Sequence, residues 1–187
     1  MPSDPAVPPP ADDRPVADPE EIRTFWAVAR SRARLNPLPA YFGPTPLEAV
    51  VPPAWSFGAT SDQADALLAL VLAGTKTATA GAAWDYEAED VPLPLAGTLA
   101  IVLDGAAHPR ALVETTDVRV VPFDQVDPEH ALLEGEGDGS LERWREEHRR
   151  FFTAHSTSGR QFALDMPVVL ERFRLVHPVR RKAWPFG

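Results

Sequence analysis

One segment of this 187-residue chain constrains the fold more than any other, an amphipathic helix followed at once by a β-prone stretch. Ser61 is a good N-cap residue, and Gly74 stands where a left-handed residue commonly ends a helix. Between them, apolar residues recur at helical spacing: Leu67, Leu68, Val71 and Leu72. The pattern predicts a helix that buries one face, with a strand over Thr75–Ala80 directly after it.

Capping and periodicity signals predict the remaining elements. Asp18 as N-cap and Pro19 at the first helical position begin a helix that we expect to end near Asn36. The other predicted helices are Asp127–Leu133 and Ser140–His155, and the other strands are Thr98–Leu103, Ala111–Val121 and Val168–Val176. Helices among short, mostly antiparallel strands predict an α+β fold, a small β-barrel with helices on its outside.

Composition divides the chain into four parts. Residues 1–17 are rich in Pro, Ala and Asp, and we expect a disordered leader because they offer too little apolar surface to offset ordering entropy. Residues 18–54 form an N-terminal helix and a Pro-rich connection. Residues 55–178 form the folded domain, and residues 179–187 a basic tail.

The overall composition limits the classes of function. Cysteine is absent, which excludes disulfides, thiolate metal sites and a cysteine nucleophile. No apolar run is long enough to span a membrane, so we expect a soluble cytoplasmic protein without a membrane partner. The net charge of −9 disfavours tight nucleic-acid binding by counterion release, although the basic C-terminus leaves local RNA contact open.

Lys76 is the first candidate for chemistry. Sixteen of the eighteen basic residues are Arg, and Lys76 is one of two lysines. A buried lysine can lose its proton and act as a base, for example with a pKa of about 7–8, and Thr79 would then be the nucleophile that needs one. Residues three apart on a flat strand face opposite sides, so cooperation between them requires a turn or bulge. The alternative is a solvated lysine at a helix end beside an ordinary Thr-rich strand.

An acidic, glycine-spaced loop follows later in the chain. Glu134, Glu136 and Asp138 alternate with glycine, and their carboxylates could orient a lysine, relay a proton or hold a cation. The alternative is a solvated acidic turn before the Ser140 cap. The loop lacks the pattern of a calcium-binding EF-hand.

Two aromatic groups are candidates for substrate binding. Trp144, Arg145, His148 and Arg149 lie on adjoining faces of one predicted helix and form a potential wall for an anion or a base. Trp84 and Tyr86 follow the Lys76 segment and offer stacking surfaces. The alternative is that the aromatic residues are core and the arginines pair with neighbouring glutamates. The five histidines show no metal-binding spacing, and no nucleotide-binding glycine motif is present, so neither a metal nor a cofactor is predicted.

The ordered series of motifs resembles the ASCH-domain family, a branch of the PUA-like barrels. The resemblance runs from about Trp55 to Val176. It is carried by Trp55-Ser56-Phe57-Gly58, Gly74-Thr75-Lys76-Thr77-Ala78-Thr79, Ile101–Gly105, Ala111–Val118, His130–Asp138 and Ser140–Arg145. It implies a PUA-like β-barrel with a cleft walled by helices.

The resemblance also implies an activity. Some members resemble amidohydrolases that remove the acyl group from N4-acetylcytidine, and the match places Lys76, Thr79 and Glu134 in the catalytic set. Glu136, two residues further on, remains an alternative to Glu134. Other members resemble single-strand ribonucleases or bind RNA.

The leading hypothesis is therefore an amidohydrolase acting on a small nucleoside-like ligand. Thr79 attacks the carbonyl, Lys76 accepts its proton, and Glu134 orients Lys76. The candidate substrate-binding residues are Trp84, Tyr86, Glu136, Asp138, Trp144, Arg145 and His148. The alternatives are single-stranded RNA binding or cleavage, and a non-catalytic binder of a modified base. The oligomeric state is left open.

Overall fold

The computed structural model describes residues 15–33 and 50–178. Most of the predicted leader, most of the Pro-rich connection and all of the basic tail lie outside these residues. The helices are α1 (Pro19–Arg32), α2 (Ser61–Ala73), α3 (Ala83–Ala88), α4 (Pro128–Glu134) and α5 (Leu141–His155). The strands are β1 (Ala54–Trp55), β2 (Ala78–Ala82), β3 (Leu99–Leu103), β4 (Pro109–Pro122) and β5 (Pro167–His177).

The strands form one five-stranded sheet in the order β1-β3-β4-β5-β2. β1 is parallel to β3, and every other neighbouring pair is antiparallel. Within the described residues the edge strands β1 and β2 do not pair with each other, so the sheet is open. The predicted closure into a barrel is therefore not observed. β1 has only two residues, too few backbone groups for a closing ladder.

Most predicted helix boundaries are confirmed, and the exceptions have local causes. Thr60 rather than Ser61 caps α2, because its side chain accepts a hydrogen bond from the Gln63 N–H at 3.2 Å. α1 ends at Arg32, earlier than predicted. The short helix α3 was not predicted, since its six residues are too few for a periodic pattern and Ala82 provides no side-chain cap.

The strand predicted over Thr75–Ala80 begins only at Ala78. The preceding backbone N–H groups are already used elsewhere: those of Thr75 and Lys76 bond to the Leu70 carbonyl, and that of Thr77 bonds to the Leu133 carbonyl. The irregular backbone that cooperation of Lys76 with Thr79 requires is thus present between α2 and β2.

The core is divided by the sheet. On β3, Ile101 packs with Trp26 and Ala29 of α1, whereas the adjacent Val102 packs with Leu68 and the rest of the α2 face. Neighbouring residues of a strand point to opposite faces, so α1 and α2 cover the two sides. A third cluster packs α4 and α5 around Phe123 and Trp144. In the part of the chain that the structure describes, none of the helices is both long and apolar enough to cross a membrane.

Candidate active site

The segment between α2 and β2 is held against the end of α4. Gly74 ends α2 in the left-handed conformation, and the Thr77 N–H then donates to the Leu133 carbonyl at 2.8 Å. Gly135 ends α4 with a φ of +66°, and a Cβ there would lie 2.6 Å from the Thr75 carbonyl oxygen. Glycine is therefore required at position 135 for two reasons, its backbone angle and this close approach.

This contact brings Lys76 to the acidic loop. The Lys76 Nζ donates to Glu134 Oε2 at 2.9 Å and to Glu136 Oε1 at 2.6 Å. The side chains of Lys76 and Glu134 are each 1% exposed, whereas that of Glu136 is 35% exposed. Glu134 is thus not part of a solvated turn, and both candidate glutamates contact the lysine.

The second oxygen of Glu134 is also fully engaged. Its Oε1 accepts from Trp144 Nε1 at 2.6 Å and lies 3.1 Å from His130 Nε2 and 3.5 Å from His148 Nε2. The His148 ring stacks on the Trp144 indole with ring centroids 4.0 Å apart. Glu134 is therefore fixed from every side, as expected of a buried carboxylate.

The charges in this network determine its protonation. Burial alone would lower the pKa of Lys76, but attraction and hydrogen bonds from Glu134 and Glu136 outweigh it and raise the pKa above 10.5. Burial likewise favours neutral Glu134, yet Lys76, His148 and His130 hold its pKa well below the ordinary value. Lys76 is thus an ammonium at neutral pH, and the predicted lowering of its pKa is wrong.

Thr79 lies apart from this network. It is the second residue of β2, directly opposite Glu171 of β5 in the antiparallel ladder. Within the described residues its hydroxyl makes no hydrogen bond, either to Lys76 or to Glu134. The structure therefore unites Lys76, Glu134 and Glu136, and it places Thr79 on the wall of a neighbouring cleft.

That cleft has a volume of about 1270 Å³. It is lined mainly by apolar side chains from the segment before α2, from β2 and from the loop before β3, among them Trp55, Phe57, Val91 and Leu93. Lys76 is not part of the lining. Its Nζ nevertheless lies 5.3 Å from the centroid of the Phe57 ring, and Phe57 lines the cleft. A large apolar cleft with few polar groups is the usual form of a small-molecule site.

Glu171, Thr115 and Tyr86 are polar residues that line the cleft together with Thr79. Glu171 accepts a hydrogen bond from the Thr115 hydroxyl at 2.5 Å, and burial raises the pKa of its carboxyl against the effect of that bond. Tyr86 is packed over Gly81, where a Cβ would lie 3.1 Å from the ring. Burial and the negative charges of Glu171, Glu89 and Asp85 raise the pKa of Tyr86 to about 12, so its hydroxyl keeps its proton.

The other predicted site residues lie outside the cleft lining. Trp84 packs against the α5 cluster, with the Arg160 guanidinium 5.1 Å from its ring centroid. Asp138 is exposed and accepts from the Ser140 N–H. Arg145 donates to the Asp124 carbonyl at 2.8 Å. Trp144 and His148 belong to the Glu134 network, so their assignment to substrate binding stays a prediction.

Sequence reasoning missed Glu171 and Thr115. One feature of the sequence could have indicated Glu171: it directly follows the apolar run Val168-Val169-Leu170, so it is an acid on a largely buried strand. Acidic side chains are rarely buried unless they have a partner or a function, and a place in a ligand-binding cleft is such a function. Among the described residues no group of three or more His, Asp or Glu side chains is arranged to hold a metal ion.

Comparison with known proteins identifies the family. The model of the ASCH domain matches residues 53–177. A crystal structure of a protein from Enterococcus faecalis has 31% identity and a TM-score of 0.71, covering 84% of this chain and 91% of that one. The crystal structure of an ASCH domain from Lactobacillus crispatus has 29% identity and a TM-score of 0.70, covering 84% and 94%. No protein with curated annotation matches. The chain, with its α+β fold and its buried lysine–glutamate network, belongs to the ASCH domain family, a PUA-like fold.

Proposed function

We propose that this protein is an amidohydrolase that removes the acyl group from an N4-acylated cytidine-like nucleoside or a related small amide. The observation that carries the proposal is the Thr79 hydroxyl in an apolar cleft: it makes no hydrogen bond within the described residues, and it lies on the strand that follows the buried Lys76 ammonium. A hydroxyl without a partner is free to attack a bound carbonyl.

Thr79 is the nucleophile in this proposal. Its Oγ forms a bond to the acyl carbon, the C–N bond breaks, and the amine leaves with a proton. Water then hydrolyses the acyl-threonine ester and releases the carboxylic acid. The two-step route splits one difficult amide hydrolysis into two easier steps.

Lys76 acts in this proposal as a positioning residue rather than as a base. Its ammonium is held by Glu134 and Glu136, and its Nζ lies 5.3 Å from the centroid of the Phe57 ring, which lines the cleft. Because this ammonium is 1% exposed and paired with two carboxylates, its proposed role is to hold the backbone that leads from α2 into β2 and Thr79. Glu134 fixes the position of this charge, and the Trp144 and His130 contacts fix Glu134.

The charges of the cleft favour an uncharged ligand. Its charged lining residues are Arg30, Glu89 and Glu171, and the whole chain carries a net charge of −9. Two carboxyl groups against one guanidinium disfavour a phosphate deep in the cleft. A nucleoside therefore fits better than a nucleotide or an RNA strand.

The direct test is release of acetate from N4-acetylcytidine and from a panel of other acylated nucleosides. We expect turnover by the wild type and a loss of at least about 10²-fold in kcat for Thr79→Val, because the nucleophile is removed. Thr153→Ala, at an exposed threonine of α5, is the matched control. Absence of wild-type turnover on every substrate, or full activity of Thr79→Val, contradicts the proposal.

Single-stranded RNA binding is the competing proposal, and one surface supports it. Arg145, Arg149 and Arg150 line an open groove of about 730 Å³ along α5. Glu146 lines the same groove and pairs with Arg150, which reduces its positive charge. We therefore place RNA binding second.

A further inference from the structure

Glu171 holds a position in the cleft that the proposed catalytic set does not use. It is directly opposite Thr79 in the β2–β5 ladder. Directly opposed residues of an antiparallel pair project their side chains on the same face, with Cβ atoms about 4.5–5.5 Å apart. Both residues also line the cleft. The ladder thus places the Glu171 carboxyl and the Thr79 hydroxyl side by side in the cleft lining, although no hydrogen bond joins them in the structure.

We propose that Glu171 is a further catalytic residue, the general base that takes the proton of Thr79 and later returns it to the leaving amine. The inference rests on the proposed function, because it concerns the same hydrolysis at the same cleft.

The other charged or titratable groups of the cleft are unsuited to this role. Those that share the lining with Glu171 are Arg30, Tyr86 and Glu89. The guanidinium of Arg30 offers hydrogen-bond donors and no acceptor, and the raised pKa of Tyr86, about 12, keeps its hydroxyl protonated. Glu89 is exposed and accepts from the Thr157 hydroxyl at 2.7 Å. Lys76, outside the lining, is an ammonium held by two carboxylates.

The surroundings of Glu171 suit an acid–base catalyst. Burial raises the pKa of its carboxyl above the ordinary 4.5, toward the neutral range in which such groups work best. The Thr115 hydroxyl occupies Oε1, and Thr115 in turn lies 3.1 Å from the Thr98 hydroxyl. Within the described residues no hydrogen bond occupies Oε2. One oxygen is anchored, and the other is available.

The proton and the bonds balance through the cycle. As the Thr79 Oγ–C bond forms, the Oγ–H bond breaks and the proton passes to Glu171. Collapse of the tetrahedral intermediate breaks the C–N bond, and Glu171 delivers that proton to the leaving nitrogen. Glu171 then takes a proton from water as the hydroxide attacks the ester, and it returns this proton to the Thr79 oxygen. No oxidant, reductant or metal is consumed.

The first test is the pH dependence of kcat/KM on the best acylated nucleoside. A base must be ionised, so wild-type kcat/KM should rise with pH to a plateau, with a midpoint above 4.5. In Glu171→Gln we expect kcat to fall by about 10²–10⁴-fold with KM nearly unchanged, and the rise with pH to disappear. Glu171→Asp should recover part of kcat. Glu87→Gln, an exposed acid of α3 outside the cleft, is the matched control.

Thr115→Val is the second variant, since it removes the bond to Glu171 and keeps the shape of the side chain. The Thr115 bond lowers the pKa of Glu171, so its loss should move the midpoint of the pH profile upward. A purely structural role of Glu171 predicts no such movement. Circular dichroism of each variant checks that it is folded.

The outcomes separate the two proposals. If the wild type turns over and Glu171→Gln keeps its kcat and its pH profile, the inference is overturned and the proposed function stands. If wild type shows no turnover on any acylated nucleoside, both are overturned. Glu171 is established as the base by two results together. In Glu171→Gln, kcat/KM no longer rises with pH, and in Thr115→Val the midpoint of the kcat/KM pH profile moves upward.

Discussion

At the scale of single residues, the ionic state of Lys76 is decided by its neighbours and not by its burial. Desolvation of a lone buried lysine lowers its pKa, and the sequence alone suggested such a base. Two carboxylates within 3 Å reverse the sign. Buried ion pairs are costly to break because the remaining partner is left charged and unsolvated.

Lys76→Met should therefore destabilise the fold strongly at neutral pH. It leaves the buried Glu134 carboxylate without its cation, and we expect a loss of about 3–5 kcal/mol in the free energy of unfolding. Chemical denaturation at pH 7 and below pH 4.5 measures it. A loss below about 1 kcal/mol at pH 7 would contradict the role of the pair.

The same experiment has a defined pH dependence. The folded-state pKa of Glu134 is depressed, so its contribution is present above the ordinary 4.5 and is lost as pH falls toward the folded value. The difference between wild type and Lys76→Met should thus shrink below pH 4.5. Lys76→Met with Glu134→Gln is the control, and it should recover part of the stability.

At the scale of elements, two helix ends create the site. α2 ends at Gly74 and α4 ends at Gly135, and the backbones of the two ends are in contact. The Thr77–Leu133 hydrogen bond joins them. Strand β2 then starts three residues after Thr75, which places Lys76 in the buried network and Thr79 on the cleft.

Gly135→Ala should disrupt this junction. The left-handed angle costs a non-glycine residue about 1–2 kcal/mol, and a Cβ 2.6 Å from the Thr75 oxygen forces the backbone apart as well. Gly159→Ala is the matched control, because Gly159 has a φ of +69° and open space around its Cβ position. We expect a larger loss of stability, and of activity, for Gly135→Ala. Equal losses in thermal denaturation would argue against the close contact.

At the scale of the whole molecule, one open sheet separates α1 from α2 and carries the cleft next to the α4–α5 network. The cleft is apolar and weakly acidic, and the net charge is negative. Neither property attracts a polyanion. The arginine groove on α5 is the exception, and Glu146 in its lining reduces its positive charge.

Ligand-dependent stability should reflect this balance. A ligand that binds only the folded state raises the free energy of unfolding by about 2.7 kcal/mol at a concentration of 100 times its Kd. We expect cytidine or N4-acetylcytidine to raise the melting temperature, and a single-stranded oligoribonucleotide to raise it little at low salt. A large, salt-sensitive rise with RNA alone would favour the competing proposal.

How far the site was predictable depends on the distance in sequence between its parts. Lys76, Thr79 and Glu134 could be identified from the sequence, because the local patterns and the family resemblance both indicate them. Glu171 could not, because the role proposed for it depends on its pairing with Thr79 across the β2–β5 ladder. The predicted barrel is not observed, because closure of a sheet depends on whether its edge strands pair with each other and not on where strands occur in the sequence.

The sequence by itself determined the candidate lysine, the helices α1, α2, α4 and α5, and the existence of the strands β2 to β5, because caps and periodicity act over a few residues. Asp18 and Ser140 cap their helices as predicted. Only the tertiary structure decided the charge of Lys76 and the partner of Thr79. Lys76 and Glu134 are 58 positions apart, and their contact exists only because two helix ends pack together. Protonation follows from that contact, since the electrostatic energy of a buried group depends on every charge brought near it.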